Sequence, residues 1–438
     1  MGSLPVAASA LCCASVRAGQ DRDGHGKWID HCNHHDPVGR QPRAARIFQR
    51  DRGAEYCLIR PRYRVMRRDA GFSIVELLIA MTIGLVLTGG ALTILLSIRS
   101  SFSTTTGVGV LSDDGRFALD FLRSSIRGAG FIGCSDSSAN PSVVGAPQII
   151  NALNGSGTMP FNFNQALGGY EYKNTSPGQN YALGAPAVDA TVTDWTPSLD
   201  ASLNSTVPPS GVAGAVAGSD VIVIRTGTTT APVNVTAITS GANNFTTNSS
   251  TGFAAGQLAV ISNCAVATTF QISGVASGNV ISHASGTASG TNVSSSFTYP
   301  YSAGAMLYGI DTQVYYIGIG ADGDGALMRL DLNGGTAFSA QELVPDVENM
   351  QVLYGYDANG TQSVSQYYTA NSIFPAVLNP AQIMTVKIAV LVATPPNTVP
   401  RPSTAQVFNL LGTQVTAPQD TRQRQVFDAT IALRNAVP

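Results

Sequence analysis

The sequence predicts an α+β fold in which one long N-terminal helix packs on a C-terminal region of antiparallel β-sheet that carries a β-rich insertion. Three observations point there. Residues 72–98 are an apolar run broken only by Glu76, and a helical apolar stripe continues from it to Arg127. From Cys134 onward short apolar runs alternate with turn residues, and no second long helical pattern appears. One terminal helix against antiparallel sheet is the simplest layered solution for that order of elements.

The apolar run is long enough to span a membrane. Its 27 residues would reach roughly 40 Å as a helix, against a hydrocarbon core of about 30 Å. Ten Lys or Arg lie between Arg40 and Arg68, whereas only Arg99 lies between the run and Arg116. That asymmetry keeps the N-terminal flank cytoplasmic and sends the C-terminal bulk across. A secretory signal peptide is the competing reading, but its apolar core is shorter, about 7–15 residues, and residues 94–101 offer no small-residue cleavage pattern. Glu76 is the discriminating residue inside the run. A carboxylate at the centre of a membrane helix costs about 2.5–3.5 kcal/mol on insertion scales, so it needs a partner or a position from which it can reach the interface.

Leu111, Ala118, Leu122 and Ile126 follow at spacings of seven, four and four, with Phe117 and Phe121 widening the stripe, which is an amphipathic helix pattern. Asp113 and Asp114 precede Arg116, Arg123 and Arg127, the order that a helix dipole favours. Gly128 and Gly130 supply a stop. The helix therefore divides into a membrane half, 72–98, and an amphipathic half, 99–130, with breaks expected at Gly84, Gly89 and Gly90. Each of those glycines costs about 1 kcal/mol against alanine, and they suit either local unwinding or close packing on a neighbouring helix.

Residues 131–438 read as the β-rich domain. Strands are expected at Asp220–Arg225, Gln257–Ser262, Val314–Ile319, Met350–Tyr354, Thr385–Val392 and Val426–Leu433. In the fifth, Val386, Ile388, Val390 and Val392 share one face opposite Lys387, the period-two signature of a half-buried strand. A charge-poor stretch at about 137–300 is rich in Gly, Ala, Ser, Thr and Asn, and its recurring Val, Ile and Phe favour ordered strands with mobile polar loops over disorder. Its size marks a large insertion or second subdomain.

Residues 1–71 differ in kind from the rest. They hold Cys12, Cys13, Cys32 and Cys57, the histidines His25, His31, His34 and His35, and 13 of the 25 basic residues. Residues 72–438 keep 12 basic and 20 acidic residues, a net charge of −8. So sharp a break argues for two sources of sequence. The cluster His31, Cys32, His34 and His35 has zinc-ligand residue types, but its spacing matches no standard zinc module.

Arg67, Arg68, then Gly71-Phe72-Ser73-Ile74-Val75-Glu76 resembles the processing site of type IV pilin precursors. The resemblance implies that a prepilin peptidase cuts between Gly71 and Phe72 and methylates the new N-terminus at Phe72. It also implies that Glu76 faces the terminal ammonium of a neighbouring subunit during assembly, where in a low dielectric each charge relieves the other's burial. Residues 1–71 are then a leader, with Met66 as the expected start and 1–65 as a mis-annotated extension, a genuine long leader being the alternative. The fold expected is accordingly pilin-like. Cys134 and Cys264 are the cysteines left after the cut, and in an oxidising compartment they suit one disulfide, two separate buried thiols being the alternative.

A narrower resemblance rests on an ordered set of segments. Gly115 to Leu122 running into Arg127 to Cys134, Ile261 to Cys264, Glu342 to Asp357, and Val426 to Asn435 are together similar to PilW-type minor pilins. That implies a minor pilin that primes type IV pilus assembly at the inner membrane and sits at or near the fibre tip. The partners it implies are other minor pilins, the major pilin and a tip adhesin. A pseudopilin of a type II secretion system shares the processing site and is the first alternative. A pilus-borne adhesive binding module is the second.

Other chemistry is weakly signalled. Asp322-Gly-Asp324-Gly and Asp357-Ala-Asn359-Gly imitate the start of a calcium loop, but the twelfth positions fall on Asn333 and Tyr368, so turns explain them and no metal site is expected. His283 is the single histidine after residue 71 and has no nucleophile motif beside it, so no enzyme is expected. No phosphate-cradling loop suggests a cofactor, and an acidic domain without a basic stripe gives no sign of nucleic acid binding.

Overall fold

The computed structural model describes residues 73–434 apart from 134, 137–147, 190, 200–213, 240, 333–337, 375–377 and 403. Residues 1–72, Gly71 and Phe72 among them, lie outside the described residues, as do Cys134 and Asn333.

One α-helix runs from Ile74 to Gly128 without a break. The breaks expected at Gly84, Gly89 and Gly90 do not occur in the single chain, because glycine lowers helix stability without removing a backbone hydrogen bond. The stop falls where the sequence placed it. The Ala129 N–H caps onto the Ile126 carbonyl, and Gly130 turns into the left-handed region at φ 78° and donates its N–H to Arg225 O.

The helix rests on two sheets. The first has four antiparallel strands in the order Gln366–Tyr368, Val347–Tyr356, Ile383–Ala393, Arg424–Ala432. The second is a central antiparallel array in which Ser339–Val344, Gly325–Asp331, Met306–Ile319, Val221–Gly227 and Leu167–Tyr172 lie side by side. Leu111, Ala118, Leu122 and Ile126 from the helix share one core with Ile222, Ile224, Tyr315, Val352, Ile388 and Ile431 from these sheets. Alternation then sends Val221 and Val223 to the far face, against Trp195, Tyr170 and Tyr316.

The insertion is ordered as strands within its described residues. The strand Met306–Ile319 extends beyond the central sheet, and its start pairs with Leu258–Ser262, which continues into Val266–Gln271 and, in parallel, Gln148–Asn151. Val233–Ile238 joins the same strand start and leads through Asn244–Thr247 to Val280–Ser282 and Gly274–Ala276. This part encloses its own core of Phe245, Phe270, Ile261, Ile281 and Leu307.

Two expectations about burial need correction. Phe117 and Phe121 do not widen the buried stripe: they are 58% and 37% exposed, because the sheets are met by the narrower face that carries Gly107, Leu111, Gly115, Ala118 and Leu122. The strand Ile383–Ala393 is not half-buried either. Ala389, Leu391 and Ala393, on the Lys387 side, are fully buried, since a small sheet of Val407–Leu410, Thr413–Thr416 and Asn180–Ala182 covers that side with Leu410 and Val415.

Candidate assembly site

The helix begins with a cap. Ser73 is extended, at φ −67° and ψ 138°, its hydroxyl accepts from Val75 N at 3.3 Å, and its carbonyl accepts from Glu76 N and Leu77 N at 3.0 and 3.1 Å. Glu76 sits in the first turn, exposed, where the positive end of the helix dipole favours a carboxylate. Ser73 and Glu76 have capping-box spacing, a sequence signal for this helix start that goes beyond the membrane and processing readings. The peptide bond that would be cut, Gly71–Phe72, lies outside the described residues.

From Ile74 to Ile98 every large apolar side chain is exposed, on all sides of the helix. The hydroxyls of Thr82, Thr88 and Thr93 return to the backbone carbonyls of Ile79, Gly84 and Gly90 at 2.8 Å, so these three polar groups are satisfied within the helix. The segment is long and apolar enough to cross a membrane, judged by length and composition. Exposed apolar residues continue past it at Phe102, Val110, Phe117 and Phe121, the last three spaced as a stripe beside the buried one.

The helix meets the domain through glycines. A Cβ at Gly115 would overlap the Phe427 ring, and one at Gly107 would overlap Thr398. Thr104 adds a hydrogen bond from its hydroxyl to Thr398 O at 3.0 Å. Gly115 and Phe427 belong to two of the segments that carried the family resemblance, and the fold brings them into contact.

Two arginines fix the terminal strand. Arg424, whose side chain is 2% exposed, donates to both Glu348 oxygens at 2.6 and 2.9 Å and to both Asp420 oxygens at 2.8 and 2.6 Å. Arg422 pairs with Asp346 and with Asp324 at 3.1 Å, and donates Nε–H to Thr394 O at 2.7 Å. Asp322, Asp324 and Asp346 could each turn one carboxylate oxygen toward a shared cation, since those oxygens lie within 4.8 Å of one another. The Arg422 guanidinium already supplies positive charge there. Burial pushes the Asp346 carboxyl up to about 6, with Arg422 opposing and Asp322, Asp324 and Asp114 adding to the rise. In the other calcium-like segment the Asp357 carboxylate accepts the N–H groups of Asn359, Thr361 and Gln362, the geometry of a turn.

Cys264 occupies the turn between Leu258–Ser262 and Val266–Gln271, in the left-handed region at φ 68°. It is disulfide-bonded, and its partner lies outside the described residues. His283 is buried, stacked on Phe297 at 4.0 Å and edged by Phe270, and its Nε2 has no hydrogen-bond partner. Burial pushes its imidazole down to about 4. Enclosed by aromatic rings, this neutral histidine packs the core of the insertion.

Residues 314–435 match the family described as Type IV Pilus-assembly protein W, and residues 66–92 match the Prokaryotic N-terminal methylation motif. The first match holds the four-stranded sheet, Arg422, Arg424 and Phe427; the second holds Gly71, Phe72 and Glu76. No curated protein matches the chain. Among solved structures, a type IV-like pilin from Thermus thermophilus is similar at 16% identity, over 30% of this chain and 67% of that one, with a TM-score of 0.18.

Proposed function

We propose that the chain, whose residues 314–435 match the Type IV Pilus-assembly protein W family and whose residues 66–92 match the N-terminal methylation motif, is a minor pilin that primes pilus assembly and stays at or near the fibre tip. The observation that carries this reading is the helix start: an exposed apolar segment from Ile74 to Ile98 whose single carboxylate, Glu76, sits in the first turn, within the match to the methylation motif. In this reading the prepilin peptidase cuts between Gly71 and Phe72 and methylates Phe72. The apolar half holds the subunit in the inner membrane, N-terminus cytoplasmic, until extraction into the fibre. Glu76, unaffordable alone in hydrocarbon, then pairs with the terminal ammonium of a neighbouring pilin, so subunits enter in register. The partners are other minor pilins, the major pilin and a tip adhesin. Cys134 is the proposed partner of Cys264. Phe131 and Gly133 lie against Tyr308, whose strand pairs with the one that leads into the Cys264 turn.

The test is to replace Glu76 with Val, which keeps the segment apolar, and to count pili. A priming subunit predicts loss of pili with the protein still present in the membrane. Unchanged pilus number would overturn priming.

A second reading, an adhesive module carried on the pilus, is favoured by the insertion's separate core around Phe245 and Phe270. It predicts that removing the insertion leaves pilus number intact and abolishes attachment.

A further inference from the structure

Residues 226–310 contain no Asp, Glu, Lys or Arg. The whole of the insertion's separate core, around Phe245 and Phe270, comes from this stretch. With Cys264 held in a disulfide, the side chains in it that titrate are His283 and the phenols of Tyr299, Tyr301 and Tyr308. Phenols stay neutral throughout the acid range. Any change in the charge of this stretch between about pH 4 and pH 8 therefore falls on one imidazole.

That imidazole sits where a charge has no counterpart. His283 is 1% exposed and follows the strand Val280–Ser282, its backbone N–H donated to Asn243 O at 2.8 Å. The strand Asn244–Thr247 presents Phe245 to the ring at 5.9 Å between centroids, and Val266–Gln271 presents Phe270 at 5.8 Å. The strandless stretch 293–301 lays Phe297 over it, at 4.0 Å and 16° between the planes. Tyr301 stands edge-on to Phe297 at 5.6 Å, with its hydroxyl held by Thr268 at 2.8 Å. Nε2 is shut off from solvent and has no hydrogen-bond partner among the described residues. Protonation would set a full charge and a second N–H donor among three phenylalanines, and the attraction of a cation to ring faces is smaller than the hydration it gives up.

We propose that His283 is an acid trigger for the insertion: its protonation releases the stretch 293–301 with the strands Asn244–Thr247 and Val280–Ser282 and uncovers Phe245, Phe270 and Phe297, while the sheets under the helix stay closed. In the closed state the imidazole is neutral and stacked on Phe297. Once the stretch lifts, the ring reaches water and takes a proton with its ordinary affinity. Burial pushes the imidazole of the closed state down to about 4, a hydrogen bond to its own backbone opposing. Because the closed value lies below the ordinary 6.5, the closed state is undiminished above about 6.5 and weakens as pH falls, the open fraction rising by up to about tenfold per pH unit until about 4.

Hydrogen exchange on the full chain in detergent micelles, at about pH 7 and about pH 4.5, tests this after correction for intrinsic exchange rates. The trigger predicts that amides of residues 244–247 and 280–284 lose at least about tenfold in protection at the lower pH, and that those of Ile383–Ala393 lose none. It also predicts that His283→Phe, which keeps a ring against Phe297 and takes no proton, abolishes the change. Equal protection at both pH values, an equal loss in Ile383–Ala393, or an undiminished change in the variant would overturn it. Should the variant not fold, nitrogen NMR of the imidazoles in the unaltered protein decides. One of the five histidines still neutral at about pH 5.5 supports the trigger, and all five titrating near about 6.5 overturns it.

Discussion

Between Ile74 and Ile98 the helix carries apolar side chains on every side and buries none of them against its own domain, whereas between Gly107 and Ile126 burial is confined to one stripe under two sheets. The glycines divide the same way. Gly84, Gly89 and Gly90 would meet nothing if given a Cβ, while Gly107 and Gly115 would meet Thr398 and Phe427. The second half is thus fitted to a surface within the chain. The first is fitted to something outside it, for which lipid and neighbouring helices are the apolar environments on offer. Phe117 and Phe121 complicate the division, because they extend outward-facing apolar surface into the docked half.

Six substitutions probe that contrast. Arg424→Ala, which strips the bidentate partner from buried Glu348 on the strand under the helix, should cost about 3–5 kcal/mol, read as a fall in Tm in detergent; a surface pair would barely register. Leu122→Ala should cost about 2–5 kcal/mol by leaving a cavity, while Leu85→Ala leaves the same Tm unchanged. A comparable loss from Leu85→Ala would erase the distinction between the halves. Gly115→Val should cost about 1–3 kcal/mol through overlap with Phe427, and Gly89→Val should be silent in the same assay. Phe117→Ser should shift stability by no more than about 0.5 kcal/mol yet lower the number of assembled pili, so an intact pilus count would mean that this surface has no partner.

Much of this contrast could be read from the residues. The spacing of Leu111, Ala118, Leu122 and Ile126 gave the docked face, and the unbroken apolar run gave the exposed half. Periodicity sets no width for the buried stripe, so by itself it places Phe117 and Phe121 inward. Alternation in Ile383–Ala393 revealed one buried face, but the second cover comes from Leu410 and Val415, and only the fold brings those beside it. The Arg422 and Arg424 network was invisible for the same reason, since Asp346 and Glu348 stand 76 residues away in sequence. At the candidate assembly site the motif is legible as a motif, and Glu76 falls in the first helical turn. The proposed cut, between Gly71 and Phe72, lies outside the described residues.

Whether this chain is processed and assembled as a pilin is decided by intact mass with N-terminal sequencing, on protein from cells with and without the prepilin peptidase. A pilin subunit yields a chain that begins at methylated Phe72 only when the peptidase is present. An uncut chain in both, or one cut after Ile98, would contradict it.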